Sequence, residues 1–152
     1  MKDPKMVKQG KRNRINGANF EKKVRASLEK DGWFVSKWQN NLEHADTGSM
    51  FEWEGGLKMT AAKGNRFFMR TTGFPDFIAY SHIHDHIYKI PDALDEIQAQ
   101  YKVIGVEAKS NGYLDKVEKA KCQWYLVNKV FSKILIASKG KKRGEIIYEE
   151  FK

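Results

Sequence analysis

The chain has a single cysteine, Cys122, among its 152 residues. No internal disulfide can form, and a reducing, intracellular compartment is expected. With neither a second thiol nor a histidine close by in sequence, Cys122 reads as a small helix residue rather than a nucleophile. No run approaches the roughly 18 apolar residues a membrane-spanning helix needs, so no membrane partner is expected. The N-terminal stretch is basic but lacks the apolar core of a secretion signal. No signal peptide is expected, and the expected location is cytoplasmic. Acidic side chains are in deficit: 19 Asp and Glu stand against 28 Lys and Arg, a formal charge of +9. An excess of that size favours a polyanionic partner; the plainer reading is a lysine-rich solubilising surface.

What is present argues for one folded domain. A hydrophobic fraction of 41% with 12% aromatics excludes a disordered chain, and the length suffices to bury a core. Residues 1–14 carry Lys2, Lys5, Lys8, Lys11, Arg12 and Arg14 with little apolar content. They read as a flexible basic arm, either tracking phosphates or merely solvated. A helix is expected over 17–31, with Phe20, Val24 and Leu28 as its buried stripe, Asn16 as N-cap and Gly32 as stop. Glu21 lies beside that stripe in the first turn. It either complements the helix dipole or serves a site.

Trp33 to Trp38 reads as a strand near the middle of a sheet, with aromatics on both faces. Lys37 at its end is placed to meet a phosphate. Residues 39–72 are an insertion in which 50–59 could form a small hairpin around Glu54-Gly55-Gly56. Lys63, Arg66 and Arg70 alternate there with Phe67, Phe68 and Met69. That mixture either grips phosphates and stacks on bases or covers a sheet edge.

Phe74 to Tyr80 is a second strand, running on into His82, His84 and His86. Those histidines would share one face of an extended backbone. The spacing suits a metal, but the simpler reading is a polar, solvent-facing continuation. Residues 91–100 read as a short helix. Tyr101 to Ser110 is a third strand, followed by the turn Asn111-Gly112 and a long helix over 114–131. Val117, Ala120, Trp124, Val127 and Phe131 form the expected buried stripe of that helix. Residues 133–137 form a strand, 139–144 a basic turn, and 145–151 an edge strand.

Two short segments carry the chemistry. In Val106-Glu107-Ala108-Lys109, period-2 alternation puts Glu107 and Lys109 on one face of a strand that otherwise reads as core. An acid and a base side by side in a core strand are costly unless solvated, bound to a metal or at work. In Gly73-Phe74-Pro75-Asp76-Phe77, Asp76 opens a second apolar run and offers another carboxylate. Two hard oxygen ligands beside an ammonium suit a Mg²⁺ site that handles phosphates.

Pro75-Asp76 followed by Glu107-Ala108-Lys109 resembles the Pro-Asp…(Asp/Glu)-X-Lys signature of the PD-(D/E)XK nuclease superfamily. Gly17 to Glu21, opening a helix that ends before an apolar strand, is similar to the acid-bearing first helix of archaeal Holliday-junction resolvases. Lys121-Cys122-Gln123-Trp124 is similar to the helix glutamine of VRR-NUC-type nucleases. The resemblance spans roughly residues 15–139, with Asp76 and Glu107 31 positions apart.

The resemblance implies an α/β fold of restriction-endonuclease type: a central mixed sheet flanked by helices, in the order αβ(insertion)ββαββ. It would form one domain over 15–152 with the insertion at about 39–72. It implies a metal-dependent endonuclease acting on DNA, of the kind used in repair and recombination. Mg²⁺, for which Mn²⁺ would substitute, would be held by Asp76, Glu107, Glu21 and the Ala108 carbonyl. Lys109 and Gln123 would steer the water or the phosphate. DNA contacts would come from Lys37, Lys63, Arg66, Arg70, Lys11, Arg12 and Arg14. The first-helix acid leans towards junction-resolving enzymes acting as homodimers, while the insertion and the arm suit linear ends or single strands. Two alternatives stay open: a DNA-binding protein of the same fold that does not cut, and a structural or assembly protein whose acid–lysine pair is just a salt bridge.

Overall fold

The computed structural model describes residues 4–44, 56–61, 73–88 and 96–152. Helix α1 (Pro4–Lys30) comes first, followed by strands β1 (Phe34–Lys37), β2 (Asn40–His44), β3 (Leu57–Ala61), β4 (Phe77–Tyr88) and β5 (Glu96–Ala108). Helix α2 (Lys116–Val127) and strands β6 (Lys133–Lys139) and β7 (Ile146–Glu150) complete the chain. Five strands form one mixed sheet in the order β1-β4-β5-β6-β7. Only the β5–β6 pair is parallel, with α2 as its crossover. Strands β2 and β3 form a separate antiparallel pair. No helix among the described residues is long and apolar enough to cross a membrane.

Side-chain alternation along the strands divides the core into two layers. Phe77, Ala79, Ile104, Val106 and Ala137 face α1, where they meet Phe20, Val24 and Leu28. Each of those three helix side chains contributes about 1.5–3 kcal/mol through burial. On the opposite face, Ile134 and Ile136 meet Leu114, Cys122, Tyr125 and Phe131. The stripe expected on α1 is therefore the buried one. The helix stops at Gly32, whose φ is +86°. Gly32 N–H donates to Glu29 O at 3.1 Å and Trp33 N–H to Leu28 O at 3.0 Å, the paired closure that a left-handed C′ residue permits.

Several expectations are corrected. Helix α1 starts near Pro4, so residues 4–14 of the expected flexible arm are helical and Asn16 is not a cap. The Lys, Arg and Gln that populate this stretch are good helix formers, and they carry the helix past Gly10 and Gly17. Among the described residues strand β1 pairs only with β4 and ends the sheet, where a middle strand was expected, and Phe34 is 61% exposed. Leu57-Lys58-Met59 pair with Leu42 to His44; residues 50–53, the other arm of the expected hairpin, lie outside the described residues. Glu96 to Gln100 are strand, paired with 84–88, where a helix was expected. A long ladder satisfies their backbone groups better than one isolated turn would.

The stripe expected on α2 holds at Phe131, which is buried, and at Trp124, which packs against the same cluster, but is displaced elsewhere. Val117 and Val127 are 62% and 69% exposed, and Cys122 and Tyr125 are buried instead. One turn before Cys122 on that face stands Glu118, a polar residue that masks the periodicity. The ladder shifts register between His82 and His84. His82 is exposed and packs edge-on against Tyr101, with ring centroids 5.6 Å apart. The side chains of His84 and His86 lie outside those described.

Candidate active site

Strands β4 and β5 pair antiparallel with Phe77 opposite Val106. Continued by one step, that register sets Asp76 opposite Glu107, although they lie 31 positions apart in sequence. Reciprocal hydrogen bonds lock the two together. Asp76 N–H donates to Glu107 Oε2 at 3.0 Å, and Ala108 N–H donates to Asp76 Oδ2 at 3.0 Å. Both side chains are buried, at 9% and 5% exposure. Ala108 thus touches the site through its backbone.

Glycine makes this junction possible. A Cβ on Gly73 would lie 2.3 Å from Asn40 O and 2.5 Å from Trp38 O, so only glycine lets the Asp76 loop run against the backbone following β1. There Gly73 N–H donates to Trp38 O, Phe74 N–H to Asn40 O and Trp38 N–H to Asp76 O, at 3.0–3.2 Å. Gly105 leaves room on the α2 face of β5 for the Pro75 ring and for Phe131.

Electrostatics mark the pair as strained in the charged form. Burial pushes the Glu107 carboxyl up from its ordinary 4.5 to about 8, and the neighbouring Asp76 charge adds to this. Asp76 is likewise raised, first by burial and further by Glu21. The Ala108 N–H, Lys37 and Lys109 only partly offset that rise. Lys109 Nζ lies 3.4 Å from Glu107 Oε1 and also pairs with Glu118 Oε1. Burial favours its neutral form, but these carboxylates outweigh it, and the Lys109 pKa is raised. Lys109 therefore stays charged beside Glu107.

Each helix also sends an acid to this end of the sheet. Glu21 of α1 is half-buried and pairs with Lys37 at the end of β1. Lys37 Nζ also lies 4.5 Å from the Phe77 ring centroid. Lys37, expected to meet a phosphate, is thus paired with Glu21 at the end of β1. Glu118 of α2 was missed in the sequence. Its Oε2 accepts from Asp115 N–H at 3.0 Å, while Asp115 Oδ1 accepts from Glu118 N–H at 2.8 Å. This is a capping box, and Asp115-x-x-Glu118 ahead of the helix was the signal that could have found it. Its other oxygen holds Lys109.

Gln123, expected beside Lys109, is exposed on α2, five residues past Glu118. Lys11, Arg12 and Arg14 are exposed on α1. Lys63, Arg66 and Arg70 lie outside the described residues.

The donor set suits a small hard cation. All the candidate ligands are oxygens, and two buried carboxyls facing each other, both raised in pKa, favour a divalent ion that would balance their charge. Among the described residues, no group of three or more His, Cys, Asp or Glu side chains converges closely enough to enclose an ion. Asp76 and Glu107 form a pair, with Glu21 near enough to perturb Asp76 but tied to Lys37. Such an open set fits Mg²⁺, which keeps several of its waters.

Comparison with known proteins finds no matching family model, no similar curated protein and no similar solved structure.

Proposed function

We propose that the chain is a metal-dependent endonuclease that hydrolyses DNA phosphodiester bonds, on a sheet-and-helix plan of the restriction-endonuclease type. The observation that carries this reading is the hydrogen-bonded Asp76–Glu107 pair, buried and raised in pKa, with the Lys109 ammonium 3.4 Å from Glu107. Structural ion pairs are rarely built from two acids facing each other, because burial opposes charge on both.

Asp76 and Glu107, with the Ala108 carbonyl, would hold Mg²⁺ or Mn²⁺. The bound ion would supply Lewis acidity and a more acidic water. Lys109, kept charged and aimed by Glu118, would stabilise the negative charge that builds on the phosphorus oxygens. Glu118 is thus a positioning residue. Glu21 would restrain Lys37 next to the site and enter the ligand shell if that pair opened. The net charge of +9 would draw in the polyanion, with an affinity falling steeply in salt.

Asp76→Ala and Glu107→Ala are expected to abolish Mg²⁺-dependent nicking of plasmid DNA while leaving DNA binding intact. EDTA should silence the wild type. Nicking retained by purified Glu107→Ala would end the assignment. A second reading, a DNA-binding protein that does not cut, draws support from the closed Lys109–Glu118 and Lys37–Glu21 pairs. It predicts tight DNA binding with no product under any divalent ion. Four-way junction, flap, duplex and single-stranded oligonucleotides compared side by side would show whether branched DNA is the preferred substrate.

A further inference from the structure

An open groove of about 410 Å³ runs between α1 and the turn joining β6 to β7. Phe20 lines it, and Lys139 Nζ sits 5.8 Å from that ring's centroid. Lys23, Lys139, Lys141, Lys142 and Arg143 surround it, against the one carboxylate of Glu145.

The turn is held in shape rather than merely basic. Gly140 N–H donates to Glu145 O at 3.0 Å, Glu145 N–H to Lys142 O at 3.1 Å and Lys142 N–H to Glu145 Oε2 at 3.0 Å. Glu145 folds so tightly across the turn that a Cβ on Gly140 would lie 2.2 Å from its Oε2, and Gly144 takes a φ of +89°. Five cations gathered around one depression repel each other, and a bound polyanion relieves that repulsion while the turn's backbone is already held.

The groove opens at the same end of the sheet as the carboxylate pair. Lys109 N–H donates to Ala137 O at 2.9 Å and Lys139 N–H to Ser110 O at 3.3 Å, so the segment leaving Glu107 runs alongside the strand that ends in the groove. Phe20 directly precedes Glu21 on α1.

We infer that this groove binds a backbone phosphate of the nucleic-acid strand whose neighbouring stretch lies over Asp76 and Glu107. The inference rests on the hydrolase reading for the placement of that stretch. It adds a phosphate-anchoring site on the α1 face, away from Lys109 and Glu118. The contacts are charge to phosphate, so they position the strand without reading its sequence.

The test compares two full-length variants of equal charge. Lys141→Gln/Lys142→Gln/Arg143→Gln removes three of the groove's five cations; Lys58→Gln/Lys116→Gln/Lys152→Gln removes three exposed lysines elsewhere. Binding of a fluorescent duplex is followed by anisotropy in EDTA across a salt series. The groove variant should bind roughly tenfold or more weakly at moderate salt, and its log–log salt slope should shrink by about one for each phosphate that the groove no longer neutralises. The control should weaken by less than half as much. Equal weakening in both variants, no weakening in either, or a wild type that does not bind the duplex overturns the inference. A groove that takes only free phosphate would show inorganic phosphate perturbing the Lys139–Gly144 amide resonances while duplex affinity stays unchanged in the groove variant. That result also overturns it. Nicking with Mg²⁺, run in parallel, keeps the two ideas apart. A wild type that does not cut, combined with a groove variant of reduced affinity, removes the hydrolase and leaves the anchor standing.

Discussion

Replacing Glu107 with glutamine should stabilise the metal-free protein at alkaline pH. In the folded chain the Glu107 carboxyl titrates near 8, raised from 4.5 by burial first and by Asp76 second. Between those values the folded state keeps a proton that the unfolded chain has released. Stability is therefore complete below the lower value and is lost as pH rises through the upper one. The interval from 4.5 to about 8 sets an upper bound of about 5 kcal/mol at 1.4 kcal/mol per unit. Asp76 is raised as well, so it acts in the same direction.

Glutamine is neutral throughout and still offers an oxygen to the Asp76 N–H. Lys109 keeps Glu118 as a partner. Urea unfolding in EDTA, followed by tryptophan fluorescence from pH 5 to 9, reads the effect. The wild-type midpoint should fall by roughly 2 M across that range, and most of the fall should vanish in Glu107→Gln. A wild-type midpoint that rises between pH 5 and 8, or a variant that follows the wild-type slope, would refute the reasoning.

Two further outcomes follow from the packing. Gly105→Ala would set a Cβ 2.9 Å from Pro75 Cγ and 3.1 Å from the Phe131 ring. Overpacking of that kind costs about 1–3 kcal/mol; a lowered urea midpoint at unchanged m-value is expected, with weaker nicking because Pro75 adjoins Asp76. Cys122 is pushed up to about 12, by burial first and then by Glu107 and Glu118. It should resist iodoacetamide at pH 8 in the native protein and react only on unfolding; native labelling at the rate of a free thiol would contradict the burial.

The site was legible wherever chemistry and periodicity coincide. Glu107 and Lys109 interrupt an apolar strand, and Asp76 opens another, so two strands announced their polar exceptions. Phe20, Val24 and Leu28 repeat every four residues and marked the α1 face. Glu118 was hidden because it occupies a core-facing position on α2, while Val117 and Val127 point outwards; binary patterning places such a helix one residue out of phase. The β4–β5 ribbon was cut short because Pro91 and the acids Asp92, Asp95 and Glu96 read as a short helix with a solvated face, although Glu96 to Gln100 alternate polar and apolar residues and pair with 84–88. The groove cations were visible as a basic turn, but only the tertiary fold brings Lys23 and Phe20 beside them.

Isothermal calorimetry of Mn²⁺ into the DNA-free protein at pH 7 addresses the central claim most directly. The account predicts one binding event on the wild type, with release of about one proton per ion, seen as a heat that varies with the ionisation enthalpy of the buffer. The event should be lost in Glu107→Gln and in Asp76→Asn. A silent wild type, or an unchanged signal in both variants, would contradict a divalent cation held between Asp76 and Glu107.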